Sequence, residues 1–240
     1  MDLTVVIPVH NEAGGIASLL DELYALPGEL ARCPVIVVDD ASSDDTTAVL
    51  QASLYEHALL RVLRHSQHYG QSAAIATGVR AAKTLWIATL DGDGQNDPAD
   101  IPRLYQVMDA ASDTVWLVNG NRRQRRDSWR KRCASRVANG VRARFLGDNT
   151  PDSGCGLKVF SRATFLALPQ FDHMHRFLPA LVLRQGGRVL SVEVNHRARR
   201  TGQTKYGIRN RLGIGIIDLL GVSWLQRRKL QPVATELDRE

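Results

Sequence analysis

Two aspartates, Asp91 and Asp93, stand directly after the apolar run Leu85–Leu90, with Gly92 between them and Gln95 two residues further on. The run is typical of a buried parallel strand, and open α/β sheets bind ligands at the carboxyl ends of such strands. Aspartates spaced i, i+2 on an extended segment point to opposite faces, but a turn through Gly92 can bring both to one cation. The segment therefore predicts a Mg²⁺ or Mn²⁺ site shared with phosphates. A polar turn is the alternative, because aspartate and glycine are common turn residues.

Carboxylates also follow two other apolar runs. The first loop is Pro8–Glu12 (P-V-H-N-E), and the second starts with Asp39 and Asp40 and continues to Asp45. Neither loop has the glycines of a dinucleotide-binding turn or of a phosphate loop, which argues against both of those enzyme classes. Carboxylates do not hold phosphate directly, but they accept hydrogen bonds from a base or ribose and bind the metal that carries a diphosphate. The three loops together predict a nucleotide site built on carboxylates.

The elements that must position these loops alternate between strand-like and helix-like patterns. Such alternation predicts βαβ units, and hence an α/β fold with a mainly parallel central sheet flanked by helices. Asp97 and Pro98 form a helix start, with a capping carboxylate followed by proline at the first helical position. The predicted strands are Leu3–Val9, Val35–Val38, Leu60–Leu63, Leu85–Leu90 and Val115–Val118, and the predicted helices are Ile16–Leu26, Thr46–Leu54, Ser72–Ala82 and Ile101–Ala111.

Composition limits the classes of protein to which the chain can belong. Its 240 residues, 44% of them hydrophobic, suffice for one large domain with a full core. The three cysteines are few, far apart and odd in number, which argues against a disulfide framework or a thiolate metal cage and favours a reducing cytoplasm. Met1 and Asp2 lead straight into the first strand, so no secretion signal is predicted. The net charge of +6 predicts an anionic partner, and the basic residues concentrate in Arg122–Arg144 and Arg197–Lys229.

An apolar stretch near the C-terminus, Leu212–Leu225, is flanked by basic residues. It is shorter than the roughly 20 residues that a membrane span requires. One interpretation is a packed core helix, because a helix without a strong polar face is more often buried. The other is a helix in the membrane interface, with Trp224 and the cluster Arg227–Lys229 near lipid headgroups.

Four ordered motifs resemble those of the family 2 inverting glycosyltransferases. They are P-V-H-N-E from Pro8, D-D-A-S-S-D-D-T from Asp39, Y-G-Q-S-A-A-I-A-T-G from Tyr69 and D-G-D-G-Q-N-D-P from Asp91. Three later segments, starting at Arg126, Asp152 and Arg200, resemble the dolichyl- and undecaprenyl-phosphate sugar transferase branch. The resemblance spans roughly residues 3 to 229 and implies a GT-A fold.

The resemblance also implies roles for individual residues on the donor side. Asp91, Asp93 and Gln95 are implied to serve the metal and the diphosphate. His10 departs from the tyrosine or phenylalanine that the family often has there, and a surface histidine is the alternative. Gln71 is expected to begin a helix whose free N–H groups approach the nucleotide. The residues implied to line or assist the nucleotide pocket are Pro8, His10, Glu12, Asp39 and Asp40.

Basic residues and one further aspartate are implied on the acceptor side. Arg200 and Lys205 are candidates to hold the donor diphosphate or the acceptor phosphate, unless they belong to a solvated loop. Arg122 and Arg126 are candidates for the lipid phosphate, with a solvated charge run as the alternative. Asp152 is a candidate base or acceptor-orienting group, although an aspartate ahead of glycine also forms turns.

These observations predict metal-dependent, inverting transfer of one sugar to a polyprenyl phosphate by an enzyme peripheral to the cytoplasmic face of the membrane. GDP-mannose is the leading donor by resemblance; a UDP-sugar, or a soluble saccharide acceptor, is the alternative. No nucleic-acid motif is present among the residues, and a homo-oligomer or a membrane-anchoring partner is an open expectation. The expected division is a catalytic domain over residues 1–207, a C-terminal apolar and basic helix over 208–230, and a tail over 231–240.

Overall fold

Seven strands form a single sheet in the computed structural model, which describes residues 1–122, 140, 142–198 and 208–228. The five strands predicted in the first half are present, with ends that differ by at most three residues. Two more strands follow in the second half, where the pattern of Leu157–Phe160 predicts one. The strands are β1 (Leu3–Val9), β2 (Val35–Asp39), β3 (Leu60–Arg64), β4 (Trp86–Thr89), β5 (Val115–Asn121), β6 (Lys158–Ser161) and β7 (Arg188–Glu193).

The sheet has the strand order β3-β2-β1-β4-β6-β5-β7. β1, β2, β3 and β4 are parallel to one another, and β5 is parallel to β7. β6 lies antiparallel between β4 and β5. The prediction of a mainly parallel sheet is therefore confirmed. The chain leaves β1 toward β2 on one side and reaches β4 on the other, and a crevice at such a switch point is where ligands bind.

Helices cover both faces of the sheet. The predicted cap at Asp97 is present, since its carboxylate accepts a hydrogen bond from the Ala99 amide at 3.0 Å. It starts a short 3₁₀ turn, Pro98–Asp100, ahead of the next α-helix. The α-helices for which the structure describes both ends are α1 (Ile16–Tyr24), α2 (Thr46–Glu56), α3 (Gln71–Ala81), α4 (Ile101–Asp109), α5 (Arg162–Ala167), α6 (Leu178–Gln185) and α7 (Ile208–Arg227).

Alternate residues of the central strands divide the core into two layers. In β2, Val35 and Val37 pack into the layer beneath α1 and α4, whereas Ile36 and Val38 pack into the layer beneath α3 and α6. All four are at most 1% exposed, and burial of each such side chain contributes roughly 1.5–3 kcal/mol. A sheet covered on both faces leaves only its strand ends open to ligands.

The C-terminal helix α7 has one packed and one exposed face. Val222 is buried, and the Arg184 guanidinium of α6 donates to the Leu225 carbonyl at 2.8 Å. Ile217 and Trp224 are 70% and 60% exposed. Neither interpretation of this stretch, core helix or surface helix, therefore describes the whole of α7. Among the residues that the structure describes, no helix combines the length and apolar character needed to cross a membrane.

Candidate active site at the carboxyl ends of the strands

The loop after β4 carries the two predicted metal ligands. Asp93 accepts a hydrogen bond from the Gln95 amide at 3.1 Å, and Gly94 turns the chain with φ at +70°. Asp91 precedes this turn and stays half-buried at the base of the loop. Its oxygens accept hydrogen bonds from the amide groups of Gln71, at 2.8 Å, and Asn96, at 3.4 Å. The loop therefore holds Asp91 in place from two sides.

Asp91 is also confined from below by Gly156. A Cβ atom at position 156 would overlap all three atoms of the Asp91 carboxyl group, so any residue larger than glycine would have to displace that side chain. The Gly156 carbonyl in turn accepts a hydrogen bond from the Thr89 hydroxyl of β4 at 2.7 Å. This contact brings the D-S-G-C-G segment, Asp152–Gly156, against the loop 91–96 after β4. That loop is named the metal loop for its predicted ligands.

Electrostatics favour a cation beside Asp91. Burial raises the pKa of the Asp91 carboxyl, and repulsion from Asp93 raises it further. A divalent cation bound between the two carboxylates would remove this repulsion. The side chains of Asp91 and Asp93 offer carboxylate oxygens, and that of Gln95 offers an amide oxygen. This set of ligands suits Mg²⁺ or Mn²⁺. The residues present thus fit such an ion.

The loop after β2 is organised by Asp39, which has no exposed side-chain surface. Its carboxylate accepts hydrogen bonds from the Ser42 amide at 2.9 Å and the Thr47 hydroxyl at 2.6 Å. The Arg64 guanidinium lies 3.5 Å away. Ala41 adopts the left-handed region with φ at +56°, a conformation that costs a non-glycine residue of order 1 kcal/mol or more. These contacts assign Asp39 to holding the loop, and direct contact with a nucleotide stays a prediction.

Asp40 joins three loops. Its carboxylate accepts hydrogen bonds from the amides of Tyr69, at 2.9 Å, and Gly70, at 2.7 Å, and from His65 at 2.7 Å. The His68 ring nitrogen is 2.8 Å from its other oxygen. Burial alone would raise the pKa of Asp40, but the hydrogen bonds outweigh it and hold that pKa below its usual value. Asp40 therefore fixes the start of α3, beside Gln71.

His10, in the loop after β1, lies on the same cluster. Its Nδ1 donates to the Asp40 carbonyl at 2.8 Å, and its ring packs on His68 with centroids 4.2 Å apart. Glu12 follows with its amide bonded to the Thr46 hydroxyl at 2.9 Å. Pro8 lies in β1 and lines a cavity next to Asp91. The structure thus brings the predicted donor-side residues to one edge of the sheet.

Asp152 and Arg122, both predicted for the acceptor side, form a bidentate ion pair. Arg122 Nε and Nη2 donate to the two Asp152 oxygens at 2.7 and 2.9 Å. Burial would lower the pKa of the Arg122 guanidinium, but Asp152 outweighs it and raises that pKa, so Arg122 stays charged. The Asp152 carboxylate orients the Arg122 guanidinium, and its role as a base or as an acceptor-orienting group stays a prediction. Arg126, Arg200 and Lys205 lie outside the described residues.

Three residues that line the cavity beside Asp91 were not among the predicted site residues, namely Lys158, His175 and Arg176. The sequence around Lys158 could have indicated a functional role. A lysine between apolar residues of a strand is rarely buried unless its charge is used. It is only 3% exposed. His175 contacts the Ser72 hydroxyl of α3 at 2.7 Å, a pairing across 103 positions that no local pattern announces.

The segment after β7 closes against the metal loop. Asn96 and His196 form an isolated antiparallel bridge, and the Arg197 amide donates to the Gln95 carbonyl at 2.8 Å. The Arg197 guanidinium pairs with Asp97 at 2.7 Å. This contact also escaped prediction, although it brings the chain to the site just before the predicted Arg200.

Comparison with known proteins places these loops in context. The family model described as "Glycosyl transferase family 2" matches residues 4–167. A dodecaprenyl-phosphate galacturonate synthase of Rhizobium johnstonii is 33% identical over 97% of this chain and 69% of its own length. An undecaprenyl-phosphate 4-deoxy-4-formamido-L-arabinose transferase of Edwardsiella ictaluri is 33% identical over 86% of this chain. The chain spans 63% of that second relative.

Solved structures share the fold. Glucosyl-3-phosphoglycerate synthase of Mycobacterium tuberculosis, determined with Mn²⁺, UDP and its product, superposes with a TM-score of 0.68 at 20% identity, over 95% of this chain and 81% of that one. Mannosyl-3-phosphoglycerate synthase of Rubrobacter xylanophilus gives a TM-score of 0.71 at 17% identity, over 97% and 77%. At such identities the likeness concerns the fold alone.

Proposed function

Because this chain belongs to glycosyltransferase family 2, we propose that it transfers one sugar from a nucleotide sugar to a polyprenyl phosphate, with inversion at the anomeric carbon. An acceptor phosphate oxygen forms the new bond to that carbon, while the bond to the nucleoside diphosphate breaks on the opposite side. The names of the two relatives described above support the polyprenyl phosphate acceptor. Since the chain spans only part of both, the whole activity is a proposal.

The observation that carries the proposal is the environment of Asp91. This carboxylate is oriented by Gln71 and confined by Gly156, while its neighbour Asp93 raises its pKa. Asp91, Asp93 and Gln95 would hold Mg²⁺ or Mn²⁺. When bound, the cation would stabilise the negative charge that develops on the departing diphosphate.

The nucleotide would lie over the loops after β1 and β2. His10 and His68 present two rings at this edge, with centroids 4.2 Å apart and planes tilted by 35°, suited to contact with a base or a ribose. Asp39 and Asp40 hold these loops through their buried carboxylates. Pro8 and Glu12 stay proposed as nucleotide-side residues. The contribution of these groups is to orient the donor above Asp91.

The acceptor needs little activation. A phosphate monoester is already largely ionised near neutral pH, so positioning replaces a strong general base. Arg122, held in position by Asp152, is proposed to receive the acceptor phosphate. Arg126, Arg200 and Lys205 remain proposals from the resemblance, and the Arg197 contact with Gln95 supports a place for the following segment near the donor.

The donor sugar is a separate question. Resemblance favours GDP-mannose. The two relatives carry names with galacturonate and 4-deoxy-4-formamido-L-arabinose. These names support acidic or modified sugars as the second candidate class, so both GDP- and UDP-linked donors belong in the test.

The exposed face of α7 supports attachment to a membrane surface. Ile216, Ile217, Leu220 and Trp224 are all more than half exposed. Arg228 lies 6.0 Å from the Trp224 ring. A face that combines apolar groups with a basic end fits an anionic bilayer surface, where each basic residue contributes about 1 kcal/mol. We place residues 208–230 there, the catalytic domain at 1–207 on the cytoplasmic face, and a tail at 231–240.

The reaction is tested with the purified full chain, a short polyprenyl phosphate and a panel of labelled GDP- and UDP-sugars, with Mg²⁺, Mn²⁺ or EDTA. We expect label in the organic phase with one donor class, and none with EDTA. Asp93→Asn should lower the rate at least about 100-fold, whereas Asp109→Asn, on the exposed surface of α4, serves as the matched control. Absence of organic-phase product with every donor, or full activity in EDTA, contradicts the proposal.

A further inference from the structure

A cavity of about 130 Å³ opens directly beside Asp91. Its floor is formed by β4 and β6, and its walls by the starts of α3 and α6 and by the short 3₁₀ helix Met174–Arg176. Of the three proposed metal ligands, only Asp91 lines it. The cavity therefore adjoins the proposed metal site, and most of its lining comes from residues that are not proposed metal ligands.

Two of the three charged side chains that line this cavity, Lys158 and Arg176, are basic. Lys158 is the first residue of β6, and Arg176 and His175 come from the 3₁₀ helix. Asp91 is the one carboxylate among the lining residues. The helices α3 and α6 begin at lining residues, Gln71 and Leu178, and so place the positive ends of their dipoles at the same space.

Lys158 is the most unusual member of this group. It is 3% exposed, and its ammonium group donates to the Cys155 carbonyl. Among the described residues, no carboxylate forms an ion pair with it. A buried ammonium without a carboxylate partner is costly unless an anion is present for part of the working cycle.

The pKa of His175 indicates that the electrostatic potential inside the cavity is positive. Burial, together with repulsion from Arg176 and Lys158, places the pKa of His175 well below its usual value. The imidazole is therefore neutral near pH 7. A hydrogen bond with Ser72 at 2.7 Å fixes its ring. His175 adds a polar group to the cavity without adding to its charge.

We propose that Lys158 and Arg176 form an oxyanion subsite, separate from the metal site, that binds an anionic group of a substrate next to the anomeric carbon. Two groups share this chemistry: the carboxylate of a hexuronic acid in the donor, and the phosphate of the acceptor. This inference rests on the proposed sugar transfer. It extends that proposal by assigning the active site a second anion, in addition to the diphosphate held by the metal. Arginine and lysine bind both anions through charge-assisted hydrogen bonds.

The two sources are distinguished by steady-state kinetics of Arg176→Gln. If the subsite takes a sugar carboxylate, the ratio of kcat/KM for UDP-galacturonate to that for UDP-galactose falls at least about ten-fold. If it takes the acceptor phosphate, KM for the polyprenyl phosphate rises by a similar factor and the donor ratio stays constant. Arg176→Lys should restore part of either effect, and Arg32→Gln, an exposed arginine on another face, should show neither. Unchanged donor ratio and acceptor KM in Arg176→Gln overturn the proposal.

A change confined to the affinity for the nucleoside diphosphate also overturns it, because the cavity would then belong to the diphosphate site. Lys158→Met gives a second test with the same expected direction. Thermal unfolding of each variant identifies any that fail to fold.

A binding measurement separates this proposal from the proposed function. Without metal or donor, inorganic phosphate should raise the Tm of the wild-type protein in a saturable manner, relative to chloride at equal ionic strength. The shift should be lost in Arg176→Gln and kept in Arg32→Gln. Failure of every donor to react, together with a phosphate shift that depends on Arg176, would reject the transfer and retain the anion site. Equal shifts in all three proteins would reject the anion site.

Discussion

Gly156 lies against the Asp91 carboxylate so closely that a methyl group at position 156 would occupy the same space. The two residues are 65 positions apart and come from different halves of the chain. Their contact joins the metal loop to the segment that carries Asp152 and Lys158. Gly156 itself supplies no metal ligand, so a substitution there tests the position of Asp91 without removing a ligand atom.

Gly156→Ala should displace Asp91 and weaken Mn²⁺ binding by at least about ten-fold, because a lost or shifted carboxylate ligand costs 1.4 kcal/mol or more. Calorimetric titration with Mn²⁺ measures the effect. Gly221→Ala is the matched control, since a Cβ there meets nothing within 4 Å. Equal Mn²⁺ affinity in the two variants would show that Asp91 is not a ligand or that the loop adapts.

Asp40→Asn should destabilise the protein by about 2 kcal/mol near neutral pH, because the carboxylate accepts two backbone hydrogen bonds and one from His65. The folded-state pKa of Asp40 lies below its unfolded value of about 3.9. Its contribution is thus complete above that unfolded pKa and is lost as the pH falls through the folded pKa. Urea unfolding of both proteins at pH 6 and below pH 4 measures the difference, which should narrow in acid. A constant difference would argue against an ionised Asp40.

Asp152→Asn and Arg122→Gln should each raise KM for the polyprenyl phosphate, and the double variant should be little worse than either single one. The reason is that the bidentate pair acts as a unit, with Asp152 orienting Arg122. The pH profile of kcat should keep its shape in Asp152→Asn. Loss of a limb of that profile would instead establish Asp152 as a general base.

Ile217→Ser combined with Trp224→Ser should lower binding to anionic vesicles at least about ten-fold, since each apolar side chain contributes roughly 1.5–3 kcal/mol when buried. Vesicle flotation measures it. Leu54→Ser, which changes an exposed leucine on α2, is the control. If the double variant floats as well as the control, the exposed face of α7 serves another purpose.

The strands and helices of the first half follow closely from local patterns. The stretch Val35–Asp39 is a run of β-branched residues ended by an aspartate, and it forms a buried strand that ends at the site. The cap at Asp97 was equally local. The pattern of Leu157–Phe160 predicts both ends of β6 to within one residue. No local pattern predicts the antiparallel position of β6 between β4 and β5.

Sequence by itself determined which residue types stand at the strand ends, because strand periodicity and the order of Asp39, Asp40, Asp91 and Asp93 are properties of the chain. Tertiary structure alone decided which protein groups contact each of these carboxylates. It also decided that Lys158 and His175 share a cavity with Asp91. The physical reason is that burial, ion pairing and close approach depend on segments up to about a hundred residues apart, such as Ser72 and His175, and no local pattern encodes that distance.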